Sequence, residues 1–194
     1  MDINSHAEWS KMLRGERYDA GNPVFLEKLA FTRDRLWELN SLRPSDVTRH
    51  EEILRELLGS VGANLHVNAP FRCDYGCNIH VGDNFFANFN LTILDEAEVR
   101  IGSNVFIGPN VSIYTACHPL DEEGRNRLIE WAEPVTIGDS VWIGGSVVIC
   151  PGVEIGARCV IGAGSVVTRS LPPDSLAVGN PARVICRLNN HSDL

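Results

Sequence analysis

The chain has 194 residues, 44% hydrophobic and 22% charged, which excludes a collagen-like, coiled-coil or disordered polypeptide and fits one ordinary domain. A formal charge of −8 argues against a nucleic-acid backbone as partner. No apolar run approaches the ~20 residues of a membrane span.

In chain order, the opening MDINSHAEWSKMLRGE has neither the basic start nor the apolar core of a secretory leader, so a cytoplasmic protein is expected. Residues 1–60 read as a helical segment. Apolar residues recur at helical spacing, first Leu26, Leu29, Ala30, Leu36 and Trp37, then Ile53, Leu54, Leu57 and Leu58. Asn22-Pro23 and Pro44-Ser45-Asp46 are helix openers, and Gly59 is a stop. Three helices are expected, over roughly 5–15, 23–40 and 45–58.

From residue 61 the period becomes six. Ile137, Ile143, Ile149, Ile155, Ile161 and Val167 form an unbroken series, with Gly138, Gly144, Gly156 and Gly162 following its members. Val141, Val147, Val153, Cys159 and Ser165 recur four residues after each. Upstream, Ile101, Ile107 and Ile113 keep this phase, whereas Val81, Ala87 and Ile93 are displaced by two. Six residues suit neither a helix nor an alternating strand; they suit short strands joined by tight turns and stacked as a solenoid. Three hexapeptides per coil give a triangular prism. The expected fold is therefore mainly β, a solenoid over 61–185, with a tail over 186–194.

The repeat is interrupted twice. Ile93 to Ile101 is a step of eight, with Asp95-Glu96 in the excess. Between Ile113 and Ile137 the pattern fails altogether, predicting an extruded loop at about 115–134 that opens with Cys117, His118 and Pro119. Of the six histidines, His6 and His191 lie near the termini, His50 on the third helix, His66 before the main repeats, and His80 at an outward position. His118, at the loop mouth with a proline behind it, is the candidate general base. Cys73, Cys77, Cys117, Cys150, Cys159 and Cys186 are read as reduced and mostly structural, since no CxxC pair or histidine cluster accompanies them.

Beyond the period, an ordered set of motifs spans nearly the whole chain: Met12 with Gly15-Glu16-Arg17-Tyr18-Asp19-Ala20; Tyr75-Gly76-Cys77-Asn78-Ile79-His80-Val81-Gly82; Ala87-Asn88-Phe89-Asn90; Thr115-Ala116-Cys117-His118-Pro119-Leu120; Val141-Trp142-Ile143-Gly144-Gly145; and Gly179-Asn180-Pro181-Ala182-Arg183. With these the sequence resembles the galactoside and maltose O-acetyltransferase branch of the hexapeptide-repeat acyltransferases, along with the nodulation-factor acetyltransferases. The resemblance implies a left-handed parallel β-helix, a homotrimer with active sites in grooves between prisms, and acetyl transfer from acetyl-CoA to a sugar hydroxyl without a metal. It implies His118 as catalytic base and Asn88 as a residue that contacts the acceptor and assists the transition state. Asp19, Asp74 and Glu96, with Asn88, match acceptor-binding positions. Trp142, Gly145, Ala163, Thr168, Arg169 and Arg183 match the coenzyme side, where the arginines suit CoA phosphates.

The sequence also departs from the galactoside enzyme. Asp74 stands in place of a serine, Glu96 of an aspartate, Phe86 of a tyrosine, and Cys186 of an arginine, with Arg187 nearby. The first three differences bear on the acceptor rather than on acetyl chemistry; the fourth bears on the coenzyme side, where Arg187 substitutes for the arginine or the contact is lost. Two other classes fit the same solenoid. A zinc carbonic anhydrase needs three histidines, but none follows His118 until His191. A non-catalytic binding or assembly protein would have no use for His118, Trp142 and the coenzyme-side residues together. An acetyltransferase for a non-sugar acceptor is the remaining alternative.

Overall fold

The computed structural model describes residues 6–188. Ser5, where the expected first helix starts, and residues 189–194 of the expected tail, with His191, lie outside them. The helices are α1 (Ala7–Leu13), α2 (Pro23–Ser41) and α3 (Val47–Leu57), followed much later by the short α4 (Glu122–Asn126). The Asn22 side chain accepts from Val24 N at 3.1 Å and Pro23 occupies the first turn, which fixes where α2 begins. The inner side of α3 buries Ile53, Leu54 and Leu57 in the same core as the first strands.

From Ser60 the chain winds as a β-helix whose three faces are parallel sheets. In register, Val61, Val81, Ile101, Ile137 and Ile155 stack on the first face. Val67, Ala87, Ile107, Ile143, Ile161 and Ala177 stack on the second. Cys73, Ile93, Ile113, Ile149 and Val167 stack on the third. The anticipated corner residues Val141, Val147, Val153, Cys159 and Ser165 are all buried as well. At the C-terminal end of the second face Arg183–Arg187 pairs antiparallel with Ser175–Val178.

Glycine's role at the corners is close approach. A Cβ at Gly108 would lie 2.6 Å from Gly145 N, and one at Gly144 would lie 2.6 Å from Ala163 N. The left-handed backbone slots are instead held largely by asparagine and serine. Asn64, Asn84, Asn104, Ser140, Arg158 and Asp174 stack with φ between 55 and 60°. Asparagine tolerates this region, and its amide adds a ladder: Asn64 donates to Asn84 at 2.8 Å and Asn84 to Asn104 at 2.9 Å.

Two features depart from the reading of the sequence. Tyr18–Asp19 is a strand, and the extruded segment is itself folded: Ala116–Cys117, α4, then Ile129–Ala132. Together they make a three-stranded antiparallel sheet with Ile129–Ala132 in the middle. A two-residue strand has no period to detect, so only its distant partner reveals it. Trp9, Met12, Tyr18, Phe25 and Tyr75 form a second, aromatic core beside this sheet.

Candidate active site

The stacking registers place every interruption at one corner. From third face to first, Cys73 to Val81 and Ile93 to Ile101 each span eight residues, and Ile113 to Ile137 spans 24. Chain excess is thus piled on a single edge of the prism, in the segments around Asp74–Asn78, Asp95–Glu98 and Thr115–Pro134.

That corner buries carboxyl groups. Asp95 is fully buried and accepts backbone N–H bonds from Asp74 at 3.1 Å, Tyr75 at 2.8 Å and Asn78 at 3.3 Å. Burial pushes its carboxyl up to about 7, although those donors pull the other way. Glu96, 8% exposed, meets the half-buried Asp74, and Thr115 Oγ1 lies 3.2 Å from its Oε2. Desolvation first, and then Asp74, push Glu96 far above the ordinary carboxyl range.

The antiparallel sheet builds the second half of the corner. Tyr18 lies opposite Glu130, and Cys117 lies opposite Trp131, so the next residue, His118, comes level with Glu130 from the other side. Glu130 therefore stands between two strands. Tyr18 Oη donates to its Oε2 at 2.9 Å, and His118 Nδ1 approaches its Oε1 at 3.6 Å. Burial, then the Glu130 charge, raises the Tyr18 phenol, so it serves as a donor. His118 is 54% exposed in its side chain. Its loop is held from behind, where Arg125 donates to the carbonyls of Pro119 at 2.8 Å and Leu120 at 2.6 Å. Asp121 caps α4 by accepting from Gly124 N at 2.7 Å. A carboxylate oriented beside an open imidazole is an arrangement suited to proton abstraction. Burial pushes the neighbouring Cys117 thiol up, which disfavours its thiolate.

Asp19 is exposed on the strand that supplies Tyr18; its Oδ1 accepts from Gly21 N at 2.9 Å and its N–H meets Glu8 at 3.2 Å. Thr168 and Arg169, both exposed, follow Val167 and so lie lower on the corner of Asp74 and His118.

Asn88 is elsewhere. It follows Ala87 and stacks on the column of Gly108, Gly144 and Gly162, at the corner between the second and third faces. Its side chain stays out of the asparagine ladders and accepts from Phe89 N at 2.8 Å. Gly145 and the exposed Ala163 share this corner. Trp142, 58% exposed, projects from the adjoining second face in the same cross-strand row as Phe106, Phe86 and His66. Arg183 lies exposed at the end of that face, opposite Val178. One chain thus divides the expected residues between two corners, with the whole third face between them.

Sequence reasoning passed over Tyr18, Tyr75, Asp95, Thr115 and Glu130 as site residues. Asp95 lies in an interruption already noted, and Tyr18 in a motif already quoted. Glu130 gives no local signal.

Several known proteins are built the same way. A maltose acetyltransferase hexapeptide capping motif matches residues 11–62, and six bacterial transferase hexapeptide repeats match residues 134–169. The chain is 46% identical over 164 residues to the galactoside O-acetyltransferase of Escherichia coli, across 84% of this chain and 81% of that one. The crystal structure of a maltose O-acetyltransferase from Clostridium difficile superposes with a TM-score of 0.94 at 48% identity, over 96% of this chain and all of that one. A galactoside acetyltransferase in complex with coenzyme A superposes with a TM-score of 0.91 at 41% identity, over 96% and 93% of the two chains.

Proposed function

Because this chain belongs to the hexapeptide-repeat acetyltransferases, in the branch of the galactoside and maltose O-acetyltransferases, we propose that it transfers an acetyl group from acetyl-CoA to a hydroxyl of a sugar. The observation that carries the reading is the row of Tyr18, Glu130 and His118 at the corner where all interruptions coincide. Bound coenzyme A in the related galactoside acetyltransferase supports the choice of donor.

In this reaction the acceptor hydroxyl attacks the thioester carbonyl as the His118 imidazole takes its proton. Glu130, held by Tyr18, orients the ring through the Nδ1 side and stabilises the imidazolium that forms. The tetrahedral species collapses by breaking the carbon–sulfur bond. The proton on His118 passes to the leaving sulfur, so acetylated sugar and free CoA thiol balance the step. Asn88 and backbone N–H groups stabilise the oxyanion. Asp19 and Asp74, backed by Glu96, hold acceptor hydroxyls, and Trp142, Gly145, Ala163, Thr168, Arg169 and Arg183 hold the coenzyme.

The split between two corners supports a homotrimer. If one prism supplies the corner of His118 and Asp74 while its neighbour supplies that of Asn88 and Gly145, the groove between them holds all the required groups. Within one chain they are a full face apart.

The deciding experiment is thiol release from acetyl-CoA against a panel of mono- and disaccharides, with sedimentation of the same sample. Release that depends on a sugar, from a trimer, is the expected result. Tight CoA binding with no release toward any acceptor in the panel would overturn the sugar acetyltransferase reading, and a compact monomer at working concentration would overturn the shared groove.

A further inference from the structure

Asp95 and Glu96 are consecutive, buried in the same corner, and treated oppositely by the fold. Asp95 is met by three backbone donors from the turn of residues 74–78. Glu96 is met by other acids, by its own backbone N–H and by one shared hydroxyl. Thr115 Oγ1 has a single proton and two acceptors in reach, the Leu94 carbonyl at 2.8 Å and Glu96 Oε2 at 3.2 Å. One of its two lone pairs takes the Ala97 N–H at 3.0 Å. The nearer carbonyl has first claim on the hydroxyl proton. The other side-chain contact of Glu96 is the carboxyl of Asp74. Two carboxyl groups in hydrogen-bonding contact require a proton between them. Asp95, the phenols of Tyr18 and Tyr75 and the Cys117 thiol also act electrostatically with Glu96, and none of these four is a cation.

We propose that Glu96 is a protonated carboxylic acid that donates to Asp74 and so fixes the orientation of the Asp74 carboxyl toward the acceptor. Glu96 is then a positioning residue, 8% exposed and acting through its half-buried neighbour. The proton resides on the deeper of the two groups because burial penalises charge there most. The strong upward push on Glu96 from desolvation agrees with this. Asp74 thereby presents its outer oxygen as a fixed acceptor for sugar hydroxyls, a geometry that a lone surface aspartate, free to rotate, does not offer. The role in acceptor binding rests on the reading of this corner as the acceptor side; the protonation of Glu96 does not.

The experiment therefore has two readouts on the intact assembly. The first is infrared difference spectroscopy at neutral pH between the parent and Glu96→Gln. A protonated-carboxyl stretch present in the parent and missing from the variant is expected, whereas loss of carboxylate bands alone overturns the proposal. The second is steady-state kinetics with the best sugar of the panel. Glu96→Ala is expected to raise the acceptor KM roughly tenfold, the worth of a hydrogen bond to a charged group, with KM for acetyl-CoA unmoved. Glu96→Gln, which can still donate to Asp74, is expected to restore most of that loss. In the parent, acceptor KM is expected to rise on the alkaline side as Glu96 ionises and repels Asp74, and Glu96→Gln is expected to flatten that rise. If the infrared band is present but neither Glu96→Ala nor Asp74→Asn moves the acceptor KM, the positioning role and the acceptor-side reading of this corner both fail, while the shared proton stands. If Glu96→Gln is as impaired as Glu96→Ala, with the alkaline rise intact, the donor role fails alone.

Discussion

The coils between Val135 and Val167 and the corner built by the interruptions are joined by the same parallel ladders, yet they bury opposite kinds of side chain. The coils place Ile137, Ile143, Ile149, Ile155 and Ile161 inside and bury no carboxyl or basic side chain. The corner buries Asp95 and Glu96 and covers them with a small sheet of its own. What separates the two is backbone. A regular turn spends its N–H groups on the neighbouring coil, whereas the longer turn of residues 74–78 has N–H groups to spare, and three of them point at Asp95. Added residues at a corner create the unspent donors that allow a carboxyl to be held inside.

The sharpest test moves a carboxyl across that divide. Ile149→Asp, at a position with 0% exposure and no donor to meet it, is expected to abolish soluble expression, checked by yield and far-ultraviolet circular dichroism. If the aspartate were accepted there, the distinction between coil and corner would collapse. Within the corner, His118→Ala is expected to reduce turnover by roughly 10²–10⁴-fold, the worth of the proposed general base, while leaving the melting temperature and CoA affinity nearly unchanged, because the ring is half-exposed and packs little. Full activity in that variant with every acceptor would remove His118 from the mechanism.

A smaller effect separates Asp95 from the coils by its pH dependence. Burial raises its carboxyl from 3.8 to about 7, so the folded state prefers the proton, and the stability this group supplies is present at low pH and lost as pH rises through that window. Asp95→Asn has nothing to ionise. Its melting temperature relative to the parent is therefore expected to climb from pH 4 to about 7 and then level off. A difference that stayed flat would mean that the three donors hold Asp95 ionised throughout. The smallest effect belongs to the outer surface of the coils. Arg158 occupies a left-handed corner slot and pairs at the surface with the partly covered Asp174 at 2.6 and 2.8 Å. Arg158→Glu is expected to lower the melting temperature only slightly, far less than Ile149→Asp disturbs the fold, and the difference should shrink further in high salt.

How much of this was legible depends on whether a residue's partner is near in sequence or periodic. The inward phase of the coils could be read to the residue, because each isoleucine repeats the environment of the one six positions before. His118 could be singled out because the period breaks just ahead of it. The first interruption, after Cys73, escaped notice because it falls where the repeat is least regular, and without it the coincidence of all three at one corner is invisible. The asparagine ladder was missed for a related reason: its members share a backbone angle, and spacing alone does not report an angle.

By itself the sequence determined the solenoid, its inward residues, the helices that cover its start and the segment expelled from it, since all of these follow from local period and turn chemistry. Only the tertiary structure decided that Tyr18, Glu130 and His118 stand in one row, that Asp95 is met by three backbone donors of a neighbouring turn while Glu96 has only its own N–H and a contested hydroxyl, and that Asn88 lies a full face away from His118. Tyr18 and Glu130 are 112 positions apart. Their contact depends on a two-residue strand pairing at the edge of a sheet that has no repeat, and long-range pairing of that kind leaves no periodic trace in the chain that makes it.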